Sequence, residues 1–174
     1  MEKFEPTWES LQQYKCPDWF RDAKFGIFLH WGPTSVPAFG TPYARFMYMP
    51  ESDEPSAETY ASHVAHYGHP SQFGWKDMIP LWKAEKWDPD HTVGVFKDAG
   101  AKYIVPVASF HDNFDLWNSK HHKWNAVDMG PKKDIIKLWR DATLRAGMRF
   151  GVSEHLERAY SWFNTNKGRD RNGP

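Results

Sequence analysis

Three short apolar runs stand out along the chain, and each ends in polar groups. Residues 25–31 (FGIFLHW) close on His30 and Trp31 before Gly32-Pro33. Residues 103–109 (YIVPVAS) run into His111 and Asp112, and residues 149–153 (RFGVS) run into Glu154 and His155. Apolar runs of this length, bounded by turn residues, predict buried strands. Between them the period changes. Asp88 can cap a helix whose first turn holds Pro89 and which Gly100 can end, with Val93, Val95, Phe96 and Ala99 at roughly helical spacing. Residues 133–146 set Ile135, Ile136, Leu138, Trp139, Ala142 and Leu144 on an amphipathic pattern that stops at Gly147. Another helix is expected from about Ser71 through Trp82. Pro106 lies inside the second apolar run and argues against an N–H-donating position there in mid-sheet. Residues 33–71, rich in Pro, Gly, Ser and Tyr, show no clean period and read as one long irregular connection, which is usually functional or disordered.

Short buried strands alternating with helices predict an α/β fold with a parallel sheet. In such folds chemistry gathers at the carboxyl ends of the strands, and three successive strands ending in polar groups favour a barrel over an open sheet. A (β/α)₈ barrel takes about 250 residues and eight strands. This chain has 174 residues and about three strands, so residues 1–174 read as an incomplete barrel. Its last strand would offer unpaired backbone groups and an uncovered apolar face, so self-association is expected of residues 1–174 alone.

Composition narrows the partners. Lys+Arg at 22 balance Asp+Glu at 22, which argues against a nucleic acid or an anionic membrane surface. No apolar run approaches the roughly 20 residues of a membrane span. Met1 to Cys16 is polar and mixed in charge, without the basic and apolar regions of an export signal, and leaves the compartment open. The single cysteine, Cys16, has no internal disulfide partner. The aromatic content is 17%, with 10 Trp. Aromatic rings fill cores, and they also stack on the C–H faces of sugar rings.

The strand ends hold the candidate chemistry. His30 can hydrogen-bond a substrate hydroxyl while Trp31 shapes the pocket; a satisfied core histidine is the alternative. His111 is a second candidate, whereas Asp112 and Asn113 suit a turn, since both bond readily to nearby backbone. Glu154 beside His155 suits either acid/base work or an ion pair that orients substrate. His63, His66, His69, His91, His121 and His122 read as solvated surface residues.

Taken together, these segments resemble family 29 α-L-fucosidases. The similarity runs through residues 19–40 (WFRDAKFGIFLHWGPTSVPAFG), 42–48 (PYARFMY), 67–90, 99–135 and 145–155 (RAGMRFGVSEH), and covers about residues 17–165. The block 99–135 is the most telling. There the family carries His-His-Asp-Gly/Asn-Phe, then Trp or Tyr-Asp/Asn-Ser, then Trp-Asn-Ala/Ser-Val-Asp. The resemblance implies the N-terminal portion of a (β/α)₈ TIM barrel, and a retaining glycosidase that removes terminal L-fucose from oligosaccharides or glycoconjugates without a cofactor. It implies that His30 and His111 contact fucose, and Trp31, Tyr43, Glu154 and His155 join them as substrate-binding candidates. Phe110 stands where the first histidine of the pair usually is, and Thr41-Pro42 where many members have Glu-Trp. Retaining glycosidases need two carboxyl groups about 5 Å apart. The family layout implies that the nucleophile aspartate and acid/base glutamate fall beyond residue 174, so no catalytic residue is assigned here. The remainder of the barrel is then an expected partner. Family members are often secreted, periplasmic or lysosomal. Two other readings stay open: a metal-dependent barrel hydrolase, since His30, His111, Asp112 and His155 are ligand types, and a non-catalytic carbohydrate-binding relic.

Overall fold

The computed structural model describes residues 4–40, 42–50 and 56–156. Thr41 and the polar, basic stretch after Trp162 lie outside the described residues. Two short helices, α1 (Trp8–Leu11) and α2 (Asp18–Ala23), lead into β1 (Ile27–Leu29). Then come α3 (Tyr43–Phe46), α4 (Ser56–Tyr67) and α5 (Trp75–Met78), the last continued by a 3-10 turn at Ile79–Leu81. Helix α6 (Pro89–Asp98), β2 (Tyr103–Ser109), α7 (Ile135–Arg145), β3 (Arg149–Phe150) and β4 (Ser153–Glu154) complete the order.

The sheet is parallel, with β2 in its middle. On one side Ile27, Phe28 and Leu29 pair with Ile104, Val105 and Pro106. On the other, β3 pairs with Tyr103 and Ile104, and β4 with Val107 and Ser109. The single third strand expected over 149–153 is thus two pieces. Pro106 lies in the stretch of β2 between those two pairings. Proline has no N–H to give a ladder, so the interruption falls where the donor is missing.

The two main helices form where their caps place them. The Asp88 carboxylate accepts the His91 N–H at 3.0 Å to start α6, and the Asp134 carboxylate accepts the Lys137 N–H at 2.8 Å to start α7. Gly100 and Gly147 then turn the chain with φ of 99° and 73°, a left-handed backbone that glycine adopts at no steric cost. Buried Val93 from α6 and buried Ile135, Trp139 and Ala142 from α7 join one core with Ile104, Met78, Ile79 and Trp82. Among the described residues no helix is long and apolar enough to cross a membrane.

The stretch read as irregular contains a twelve-residue helix, α4. Its buried positions are Ser56, Thr59 and His63, spaced as one helical face but small or polar. An apolar-period search passes over such a face. Expected helix 71–82 is shorter than anticipated, a turn followed by α5 and the 3-10 turn.

Candidate functional site

A β-strand sends alternate side chains to opposite faces, and this separates the two aromatic neighbours at the end of β1. Phe28, 57% exposed, lies on the open face of the sheet. His30, two residues on, follows it there, with ring centroids 4.7 Å apart. Trp31 turns the other way and packs with Trp82 at 5.0 Å, Trp87 at 4.8 Å and Trp139 at 6.4 Å. Trp31 therefore belongs mainly to the helix-side core, although it also contributes to a cleft below His30.

On the open face three strand ends converge. His30 Nε2 lies 3.1 Å from His155 Nε2, with the rings perpendicular. The backbone N–H of His155 donates to the Ser109 carbonyl at 3.0 Å, which docks residue 155 beside the end of β2. His111 Nδ1 lies 2.8 Å from the His155 carbonyl. A carbonyl can only accept, so His111 carries a proton on Nδ1. Phe110 sits among all three, with centroids 5.3 Å from His30, 5.3 Å from His155 and 4.5 Å from His111. The result is a cluster of imidazoles around an aromatic face.

The electrostatics favour a neutral ring at His30. Burial lowers the pKa of His30, and the neighbouring His155 and His111 push it the same way. The Nε2···Nε2 contact needs one proton between two nitrogens, so one ring donates and the other accepts. Imidazoles arranged in this way present ring nitrogens to hydroxyl groups.

The other sequence candidates are placed elsewhere. Glu154 is exposed; burial of its carboxyl, then the charge of Asp115, raises its pKa. The Asp115 carboxylate repels it, which favours its protonated form. Tyr43 is 1% exposed, and its hydroxyl lies 2.8 Å from His63 Nδ1. Burial, followed by Tyr67, raises its pKa. Its ring packs against His63 and Trp75 in the core.

Two histidines expected at the surface are not there. His63 is fully buried, with Nε2 2.8 Å from the Phe73 carbonyl, so it donates from Nε2 and accepts the Tyr43 hydroxyl at Nδ1. His122 is half-buried, its Nε2 3.2 Å from the Asp115 carboxylate. Neither contact has a signature in residue spacing, because each partner comes from a distant or irregular segment. Asp112 and Asn113 do form a turn: Asp112 Oδ1 accepts the Phe114 N–H at 3.2 Å and Asn113 adopts φ 57°. What residue order could not show is that the other Asp112 oxygen, Oδ2, is shut off from solvent without a hydrogen-bond partner. Among the described residues no three of His, Cys, Asp and Glu are grouped to hold a metal ion.

A family model described as alpha-L-fucosidase matches residues 1–173. The chain belongs to the alpha-L-fucosidase family. Within that family it is 38% identical to plasma alpha-L-fucosidase of Homo sapiens over 93% of the chain and 33% of the relative. It is 33% identical to an alpha-L-fucosidase of Branchiostoma floridae over 93% of the chain and 35% of that protein. The chain thus spans about a third of the length of the curated relatives it matches. The crystal structure of Thermotoga maritima alpha-fucosidase superposes with a TM-score of 0.74 at 41% identity, over 87% of this chain and 37% of that one. A Thermotoga maritima alpha-L-fucosynthase in complex with alpha-L-Fuc-(1-2)-beta-L-Fuc-N3 superposes with a TM-score of 0.77 at 38% identity, over 87% of this chain and 38% of that one. The parallel sheet with its helices accordingly corresponds to part of the family's (β/α)₈ catalytic barrel.

Proposed function

We propose that this chain supplies sugar-binding strand ends of an α-L-fucosidase, a retaining glycoside hydrolase that releases terminal L-fucose from fucosylated oligosaccharides or glycoconjugates. One observation carries the reading: His30, His111 and His155 meet around Phe110 at the carboxyl ends of neighbouring parallel strands. Imidazoles suit ring hydroxyls, and the face of Phe110 suits the C–H surface of a deoxysugar. Trp31 walls the cleft below, Glu154 stands beside His155 at the strand end, and Tyr43 packs behind Trp75, whose indole faces Asp112. The nucleophile and the acid/base are carboxylates of later strands of the barrel, held about 5 Å apart as retention requires. The open face bearing Phe28 and His30 is the surface those strands would cover. Solved relatives hold fucose, or a fucosyl disaccharide azide, by their own descriptions.

Phe110 favours a second reading, a carbohydrate-binding protein without turnover, because it offers no hydrogen bond where the family's first histidine does. The test is hydrolysis of 4-nitrophenyl α-L-fucoside by the product of the complete reading frame. Turnover that falls at least about a hundredfold in kcat/KM with His111→Ala, about 2.7 kcal/mol of lost transition-state binding, supports the fucosidase. L-Fucose binding with no turnover supports the second reading, and neither binding nor turnover sinks both.

A further inference from the structure

The cleft below His30 holds a carboxyl group that the reading above leaves unused. Asp112 lines it together with His30, Trp31, Thr34, Phe110 and Leu116. One oxygen of that carboxyl, Oδ1, is occupied by the Phe114 N–H. The second, Oδ2, is buried without a hydrogen-bond partner. An unsatisfied buried oxygen costs about 1–3 kcal/mol, and such groups in folded proteins almost always have a partner. The Trp75 indole N–H faces the same carboxyl and helps to hold its pKa down, but its nitrogen is itself buried and completes no hydrogen bond. The cavity measures about 10 Å³, which is room for roughly one oxygen-sized group.

We propose that Asp112 Oδ2 is the polar partner of a single hydroxyl group seated in this cleft, either a sugar hydroxyl or a resident water. The sugar arm rests on the reading of the imidazole cluster as a fucose site; the water arm does not. Burial raises the Asp112 pKa to about 7, against the pull of the Phe114 N–H, its own N–H and Trp75 and with a smaller push from Asp115. Near neutral pH the group therefore exchanges between carboxylic acid and carboxylate. In the first form it donates to the hydroxyl oxygen, and in the second it accepts the hydroxyl proton. A merely structural aspartate, tying the turn through Oδ1 alone, would respond to neither source.

The experiment uses the product of the complete reading frame with ¹³C-labelled aspartate and ¹⁵N-labelled histidine, titrated with L-fucose and read by NMR. The Asp112 signal is assigned by its loss in Asp112→Asn, which keeps the size and one donor or acceptor toward the cleft. If a sugar hydroxyl is the partner, the His30, His155 and Asp112 signals move together. Asp112→Leu then weakens L-fucose binding about tenfold or more, while Asp112→Asn stays within a few-fold. If a water is the partner, the Asp112 carboxyl signal ignores L-fucose, and its β protons show a cross-peak to long-lived water that Asp112→Leu removes. The proposal is overturned if neither response appears. It is also overturned if the Trp75 indole proton shifts to the position of a free indole in Asp112→Leu, which would make Trp75 the partner. Imidazoles that ignore L-fucose sink the fucose-site reading, and the water arm still decides the proposal.

Discussion

Residues 30 and 31 are chain neighbours with opposite fates. His30 stands on the open face among imidazoles and Phe110, where contacts are polar and a burial-lowered pKa keeps it neutral. Trp31 stands in the closed helix layer, in a box of Trp82, Trp87 and Trp139. The strand's two-residue alternation does this, and it teaches that one short strand can serve recognition on one side and stability on the other. The two faces should then be separable by mutation.

The largest effect is expected from the closed side. Trp139, 3% exposed, touches both Trp31 and Trp87, so Trp139→Ala should cost about 3–5 kcal/mol in urea unfolding. A loss below about 1 kcal/mol would mean that the box is not the main support. Acid should come next. The pKa values of His63 and His30 are both lowered from 6.5 by burial, so the unfolded chain binds more protons than the folded one at low pH. Their contribution is complete above about pH 6.5 and lost as pH falls toward their folded values. Asp112, raised to about 7, works in the opposite sense over the same interval, so the histidine share is read by difference: between pH 7 and 5 the melting temperature of His63→Gln should fall less, or rise more, than that of the parent, and an identical slope would place the acid sensitivity elsewhere.

On the open side the pattern should invert. His30→Ala should change stability by no more than about 1 kcal/mol, as expected for a site away from the packed core, while abolishing the response of the His155 imidazole to L-fucose. A large loss of stability would merge the two faces into one. The smallest effect is expected at the outer edge of the helix layer. Arg145 meets the Asp90 carboxylate at 2.7 Å, with both side chains more than half exposed. Arg145→Ala should cost under about 1 kcal/mol in the same urea assay, fading further in high salt.

The closed side was more legible in the residue order than the open one. Helix α6 announces itself through its Asp88 cap, α7 through its apolar period and the Gly147 stop, and β2 through its apolar run. Helix α4 stayed hidden because Ser56, Thr59 and His63 form its buried face without an apolar signal. The break of the third strand into β3 and β4 was not foreseen, although Pro106 pointed at the spot. On the open side, strand-end position singled out His30, His111 and His155. It could not tell that Asp115 lies close enough to repel Glu154, that Tyr43 lies in the core, or that Asp112 has one bonded oxygen and one buried alone. Those facts depend on contacts between residues far apart in the chain.

At the opposite end of the sheet, Gly26 leads into β1 with the Tyr103 ring where its side chain would begin. A Cβ there would lie 2.2 Å from Tyr103 Cζ, and that ring is hemmed in by Trp19 and Phe20. The two positions therefore share one volume. In a library randomising both codons, survivors carrying a side chain at 26 should be rescued by second-site suppressors that shrink residue 103, so tolerance at either position is a property of the pair.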